Sequence, residues 1–107
     1  MDKLDEDGYP TDEFLQSIRD WKVQSVKDAK AWMEHIREGW FYEDYFDGPF
    51  TEKEDEDGPV YEGYRVSTGG WSGHEDTISA MQDNFFGWYY TWYSTRRGGH
   101  YEFRLKD

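Results

Sequence analysis

Aromatic rings are the main apolar material from which this chain can build a core. Phe, Trp and Tyr make up 21% of the 107 residues, whereas Leu, Ile and Val are few. Each ring buries a large area with few rotatable bonds. The chain has no cysteine, so neither a disulfide nor a thiolate zinc site can support the fold. The sequence therefore predicts a single domain over residues 1–107 with a ring-rich core, and some rings are available for a recognition surface.

Acidic side chains are concentrated in the first half of the chain. The formal net charge is −12, and residues 1–57 hold 18 acidic and 7 basic side chains, against 6 and 5 in residues 58–107. Such a surface repels nucleic acid and anionic membranes and attracts basic partners. No apolar run is long enough to cross a bilayer, and the charged start of the chain is unlike a signal peptide. We therefore expect a cytoplasmic protein without direct nucleic-acid or membrane contact.

The first half predicts one long amphipathic helix. Residues 1–10 are interpreted as a flexible lead-in, and Thr11 is a suitable N-cap. From about residue 12 to residue 38, apolar residues recur with the 3.6-residue period of one buried face. These residues are Phe14, Ile18, Trp21, Ala29, Trp32 and Ile36.

Two further segments precede the second half. Residues 40–46 are too short and too aromatic for another helix, which leaves an edge strand or a packed irregular segment. Residues 47–59 carry six consecutive charged side chains between Pro and Gly residues. This charge density predicts an acidic mobile loop.

The second half predicts strands and one short helix. Strands are expected at residues 60–68, 86–95 and 100–106, a helix at 73–84 capped by a Ser72–Glu75 capping box, and a hairpin turn at 96–99. The predicted fold class is α+β. The long N-terminal helix packs on a small sheet of three to four strands that contains a strand–helix–strand–hairpin unit.

Two glycine-rich loops are the candidate binding site. If the strands at 60–68 and 86–95 are parallel neighbours, both loops lie at one end of the sheet. Backbone N–H groups, hydroxyls and two arginines there suit an anion such as a phosphate or a carboxylate. The alternative is that these loops are ordinary turns with solvated arginines. The candidate ligand- or partner-binding residues are Ser67, Thr68, Gly69, Gly70, Trp71, Ser72, Arg96, Arg97, Gly98, Gly99 and His100.

Enzyme signatures are incomplete. Residues 70–74 lack the final glycine of a nucleophile elbow, no Gly-Lys-Ser/Thr occurs, and Ile78 replaces the second histidine of a zinc-protease helix. The acidic run 52–57 lacks the ligand pattern of an EF-hand. We therefore expect no catalytic residue, metal or cofactor. A hydrolase that uses Ser72 or His100 is left as a weaker alternative.

Three segments carry a resemblance. Residues 9–13, 64–73 and 94–101, which include Ser-Thr-Gly-Gly-Trp-Ser-Gly and Arg-Arg-Gly-Gly-His-Tyr, are similar to an uncharacterised family of small proteins encoded by bacteriophages and prophages. The resemblance implies a phage accessory role in the host bacterial cytoplasm. Family members often have Asn where this chain has His74, which argues against an essential role for that residue.

Two functions follow as hypotheses. The first is a non-enzymatic phage accessory protein that binds and inhibits a host macromolecule with a basic surface, such as a defence protein or a nucleic-acid-binding protein. The alternative is a small-ligand binder that sequesters a nucleotide or another phosphorylated molecule at the two glycine loops.

Overall fold

The computed structural model describes residues 2–105 as a mixed α+β fold with four α-helices and a four-stranded antiparallel sheet. In chain order the elements are α1 (Asp12–Asp20), α2 (Val26–Glu38), a 3-10 turn (Glu43–Tyr45), β1 (Phe46–Lys53), β2 (Val60–Ser67), α3 (Ser72–Asp83), α4 (Phe85–Thr91), β3 (Trp92–Arg96) and β4 (His100–Leu105).

The sheet has the strand order β1-β2-β4-β3, and every neighbouring pair is antiparallel. One face contributes Phe46, Tyr64, Val66 and Phe103 to the core, where they meet the helices. On the opposite face, the guanidinium of Arg104 lies over the ring of Tyr93, with 3.4 Å from Cζ to the ring centroid. The two faces therefore differ, with apolar packing on one side and ion pairs with rings on the other.

The predicted long helix is wrong, because the chain breaks after Asp20 and forms two helices. Thr11 caps α1 as predicted, since its side chain accepts a hydrogen bond from the N–H of Phe14. The side chain of Ser25 accepts from the N–H of Asp28, and Asp28 accepts from the N–H of Gln24, which starts a second helix. Ser25 and Asp28 are residue types that often cap helices, but the apolar period runs through them without interruption and therefore predicted a single helix.

The predicted buried face nevertheless supplies the core. Phe14, Ile18, Trp32 and Ile36 are fully buried. The indole N–H of Trp32 donates to the carbonyl of Ile18 at 3.1 Å, so α2 folds back on α1. The same residues that predicted one helix therefore hold two helices together.

The segment predicted as a loop at 47–59 is mostly a strand. Residues 47–53 belong to β1, which pairs with β2 from Phe46 opposite Val66 to Lys53 opposite Val60. The acidic run is thus divided between a strand end and a tight turn, in which Gly58 N–H donates to the carbonyl of Asp55. The mobility of this turn stays a prediction.

The predicted strand at 86–95 is wrong over its first half, which forms α4. Asn84 caps this helix, because its Oδ1 accepts from the N–H of Gly87 at 3.0 Å. Gly87 lies directly against the buried ring of Trp32, where an added Cβ would be 2.8 Å from the ring. Aromatic residues have a high propensity for strands, but the Asn84 cap and the close packing of Gly87 on Trp32 stabilise a helix here.

The lead-in forms a hydrogen-bonded turn. Leu4 and Pro10 form an isolated bridge, and the N–H of Thr11 donates to the carbonyl of Lys3 at 3.0 Å. Lys3 also pairs with Glu38 at the end of α2. At the other end of the chain, the predicted last residue of the final strand, Lys106, lies outside the described residues.

Candidate functional site

The two glycine loops meet, but not through a parallel strand pair. The N–H of Thr68 donates to the carbonyl of Gly99 at 3.0 Å. Strands β2 and β3 are not neighbours, because β4 lies between them and pairs antiparallel with both. The loops meet because β4 starts beside the end of β2. Thr68 is fully buried at this junction, and Gly99 adopts φ +77°, a conformation that favours glycine.

Four of the predicted site residues border the open side of this junction. The hydroxyl of Ser67 lies 2.7 Å from Nδ1 of His100, and Arg96 is paired with His100 across the hairpin. These three residues line a groove of about 220 Å³. Neither Arg96 nor the adjacent, exposed Arg97 makes an ion pair within residues 2–105. The hairpin therefore presents two arginines that carboxylates of the described chain leave unpaired.

Trp71 and Ser72 belong to a different surface. The Trp71 ring contacts the rings of Tyr9, Phe41 and Tyr42, with centroid separations of 4.8, 5.6 and 5.5 Å. Ser72 is the first residue of α3 rather than its cap, and the N-cap position is taken by Trp71 without a side-chain hydrogen bond. The predicted capping box is therefore wrong.

Trp71 and the rings around it belong to a larger surface that the sequence did not predict. We call it the aromatic–acidic site, and its residues are Tyr9, Phe41, Tyr42, Glu43, Asp44, Tyr45 and Trp71. The 3-10 turn carries both carboxylates and the ring of Tyr45, and Tyr42 precedes it as the N-cap, with 5.9 Å between the centroids of the two rings. Residues 41–45 line a shallow pocket of about 340 Å³. The available signal was the pair of acids between two groups of rings over residues 40–46.

The rings of this site are exposed although they touch each other. Phe41, Tyr42 and Tyr45 are 44%, 47% and 46% exposed. Gly8 allows the lead-in to approach, since a Cβ there would lie 2.5 Å from the Phe41 ring. The site is thus a layer of rings held by neighbouring rings and open to solvent on its outer side.

His74 supports this layer from below. Its Nδ1–H donates to the carbonyl of Thr68 at 3.0 Å, and its Nε2 accepts from the N–H of Tyr42 at 3.3 Å. These partners require the neutral ring with the proton on Nδ1. Burial lowers the pKa of His74 below its ordinary value, and the hydrogen bond to Thr68 opposes that shift only in part. His74 therefore ties the glycine loop to the aromatic–acidic site.

The electrostatic surroundings of this site are negative. No lysine or arginine occurs between Arg37 and Lys53 in the sequence. Arg37 itself is engaged by Glu34 at 2.7 Å, and Lys3 pairs with Glu38. The carboxylates of Glu43 and Asp44 are therefore not neutralised by a cation on their own segment.

The geometry offers little for catalysis at the serine and histidine residues that the sequence suggested. Ser72 Oγ approaches the Tyr9 hydroxyl at 3.5 Å and, among the described residues, no histidine, and both nitrogens of His74 are bonded to backbone groups. His100 lies instead 2.7 Å from the hydroxyl of Ser67, so the hydrolase alternative at His100 stays a prediction. Within residues 2–105 no group of three or more His, Asp or Glu side chains could hold a metal ion. No helix in the same range is long and apolar enough to cross a membrane.

A second surface that the sequence did not predict lies on α4. A groove of about 590 Å³ runs between this helix and the link from α1 to α2. Its apolar lining comes from Trp21, Val23, Phe85, Phe86 and Tyr90. Because the sequence predicted a strand at residues 86–95, it did not predict this exposed face of a helix.

The chain matches no family model, and no curated protein or solved structure is detectably similar to it. The proposed function therefore depends on the site geometry and on the sequence.

Proposed function

We propose that this chain is a non-enzymatic binding protein that holds a basic macromolecule at the aromatic–acidic site. The observation that carries the proposal is the 3-10 turn, where Glu43 and Asp44 lie between the exposed rings of Tyr42 and Tyr45. A guanidinium or ammonium group can lie against such ring faces while the carboxylates accept its hydrogen bonds. An acidic, ring-lined surface thus complements arginine and lysine side chains.

The composition of the site also fits an interface. Tyrosine and tryptophan are the residues that most often dominate binding energy, and here Trp71 and Tyr42 are held in place by neighbouring rings. Pre-ordered rings lose little conformational freedom on binding. The net charge of −12 would add long-range attraction for a basic partner and speed its association.

The resemblance to small phage proteins supports a host protein as the partner. A basic surface in a bacterial host is characteristic of proteins that bind nucleic acid. We propose that the chain covers such a surface in the host cytoplasm and thereby inhibits a defence protein or a nucleic-acid-binding protein.

Affinity capture with matched variants tests this function. The immobilised chain is exposed to bacterial lysate, and the retained proteins and small molecules are identified by mass spectrometry. One variant removes the rings (Tyr42→Ala with Tyr45→Ala), and one removes the charges (Glu43→Gln with Asp44→Asn). The control, Asp55→Asn with Glu56→Gln, removes the same charge from the β1–β2 turn. An arginine-rich peptide, titrated calorimetrically, provides a defined probe.

The expected result is capture of basic proteins by the wild type and by the turn variant, with loss in both site variants. Binding of the arginine-rich peptide should weaken steeply with added salt, because the carboxylates are exposed. If the turn variant lost as much binding as the site variants, net charge alone would explain the binding, and the aromatic–acidic site would not. Full binding by both site variants would refute the proposal.

A second candidate function is the capture of an anionic small molecule at the hairpin. The observation that favours it is the pair Arg96 and Arg97, which have no carboxylate partner within residues 2–105 of a strongly acidic chain. Ser67 and His100 add polar groups at the same groove. Calorimetric titration with mono-, di- and cyclic nucleotides tests it, with Arg96→Ala and Arg97→Ala as controls. Binding heat that both variants abolish would support a phosphate site, and absence of heat would leave the arginines a structural role.

A further inference from the structure

The exposed rings of α4 form a continuous apolar surface on the side of the helix that faces away from the core. Tyr89, Phe85 and Phe86 are 74%, 70% and 60% exposed. Phe85 contacts Phe86 and stacks on Tyr89, with centroid separations of 5.4 and 6.2 Å. On the buried side, Gly87 lies against Trp32 and fixes the helix. These rings are therefore held on a rigid support and are open to a partner.

We propose that this α4 surface is the contact through which two copies of the chain form a symmetric dimer. The area is the first argument. At about 200 Å² per ring, Phe85, Phe86, Tyr89 and Tyr90 expose on the order of 500 Å². That value lies within the roughly 300–600 Å² typical of the largest patch on a monomer, where such patches are often functional. It also provides more than half of the roughly 800 Å² that each partner contributes to a stable interface.

Shape is the second argument. The same surface carries a highly exposed ring, Tyr89, and beside it the groove of about 590 Å³. The rings of Phe85, Phe86 and Tyr90 line this groove together with the charged side chains of Arg19, Lys22 and Asp83. A two-fold interface requires that one patch complement itself. A highly exposed ring beside such a groove meets that requirement, because each copy can insert Tyr89 into the groove of the other.

Charge is the third argument, and it favours a second copy of the chain over a basic partner at this surface. Two chains of net charge −12 repel each other wherever carboxylates face each other. No Asp or Glu occurs between Asp83 and Glu102, and Asp83 is paired with Arg19 at 3.1 Å. The α4 surface is thus the ring-rich region where two acidic copies can approach with least repulsion. A basic partner would find no carboxylate on α4 to bind.

Sedimentation equilibrium over a range of protein concentrations and salt tests the dimer. The wild type should show reversible association to twice the chain mass, and the dimer should tighten with added salt, since salt screens the repulsion. Basic-partner binding should instead weaken with salt, so the failure of either proposal can be recognised separately. Tyr89→Arg and Phe85→Ser should each raise the dimer dissociation constant by at least about tenfold.

Controls keep the result interpretable. Val60→Ser removes an exposed apolar side chain, 58% exposed, from β2 outside both proposed surfaces and should leave the dimer unchanged. The thermal midpoint of the wild type should rise with protein concentration, a measurement that needs no variant. A monomer at every concentration, or a dimer insensitive to both α4 variants, would overturn the proposal. Binding of a single-stranded oligonucleotide that Phe85→Ser abolishes would overturn the dimer and assign this surface to nucleic acid.

Discussion

The indole ring of Trp40 lies flat on the imidazole ring of His74, with centroids 4.1 Å apart and planes 8° from parallel. Trp40 follows α2, and His74 lies in the first turn of α3, so the stack joins the helical layer to the glycine loop. Because Tyr42 and Thr68 occupy both ring nitrogens of His74, protonation would break the hydrogen bond from the Tyr42 N–H and place a charge at a buried position.

Folding stability should therefore fall in mildly acidic solution. Burial lowers the pKa of His74 in the folded chain, so below the unfolded-state value of about 6.5 the unfolded chain binds a proton that the folded chain does not. The contribution of His74 is complete above that pH and is lost as the pH falls toward its folded pKa, by up to about 1.4 kcal/mol per pH unit.

Urea unfolding of wild type and His74→Gln between neutral pH and the onset of carboxylate titration measures this effect. The variant should be less stable at neutral pH and should show a flatter pH dependence. Burial also lowers the pKa of His35, so part of the slope should persist in the variant. An identical slope in His74→Gln and wild type would contradict the assignment.

Gly99→Ala should destabilise the fold more than Gly98→Ala. Both residues have positive φ, +77° and +92°, so both substitutions carry the same kind of backbone strain. A methyl group at Gly99 would overlap Oγ1 of Thr68, whereas one at Gly98 would lie 3.4 Å from the His100 ring. The additional overlap should cost about 1–3 kcal/mol, measured as the difference between the two unfolding free energies. Equal losses would mean that the glycine loops are not tightly joined.

Asn84→Asp should be at least as destabilising as Asn84→Ala. Asn84 caps α4 through Oδ1, while its Nδ2 donates to the carbonyls of Ile18 and Trp21 at 2.9 and 2.8 Å. Alanine loses the cap and both donated hydrogen bonds, although the Ile18 carbonyl keeps the one from the Trp32 indole, for a loss of about 2–4 kcal/mol. Aspartate keeps a capping oxygen but sets a carboxylate against those carbonyls. Chemical denaturation should show this order, with exposed Gln82→Ala as the control, and wild-type stability of the Asp variant would show that only the cap matters.

Trp32→Ala should cost about 3–5 kcal/mol, because the ring is fully buried and the cavity cannot close completely. Trp32→Phe should cost less, since it keeps a ring against Gly87 and loses mainly the hydrogen bond to the Ile18 carbonyl. Thermal and chemical unfolding of both variants checks the order. An unchanged thermal midpoint in Trp32→Ala would show that α2 does not anchor the core.

The sequence predicted the elements whose local signals and burial agree. The strand at Val60–Ser67 alternates, and its inward residues Tyr64 and Val66 are buried. The helix at Ser72–Asp83 buries Ile78 and Met81 as its spacing indicated. In both segments the apolar period identified residues of the core, although in the strand Tyr61 on the opposite face is also buried and Val60 is exposed.

The secondary-structure predictions were wrong where a segment carried signals for two different structures. Residues 85–91 are ring-rich on both sides, which imitates a two-sided strand, although one side of the helix they form is exposed. The acidic run after Phe50 looked too charged to pair, yet Glu52 lies within β1 and accepts hydrogen bonds from Arg65 of the neighbouring strand. Such cross-strand partners are far apart in sequence.

The sequence by itself determined the α+β class, the residues of the buried helical face and the negative charge of the surface, because composition and period depend only on nearby residues. Only the tertiary structure decided which rings are covered. Trp71, proposed at first beside the arginines, joins Tyr9 and Tyr42 instead, and the glycine loops meet through β4 rather than through a parallel pair. These outcomes depend on strand order and on contacts over sixty residues apart, such as Asn84 with Ile18, which no local pattern encodes.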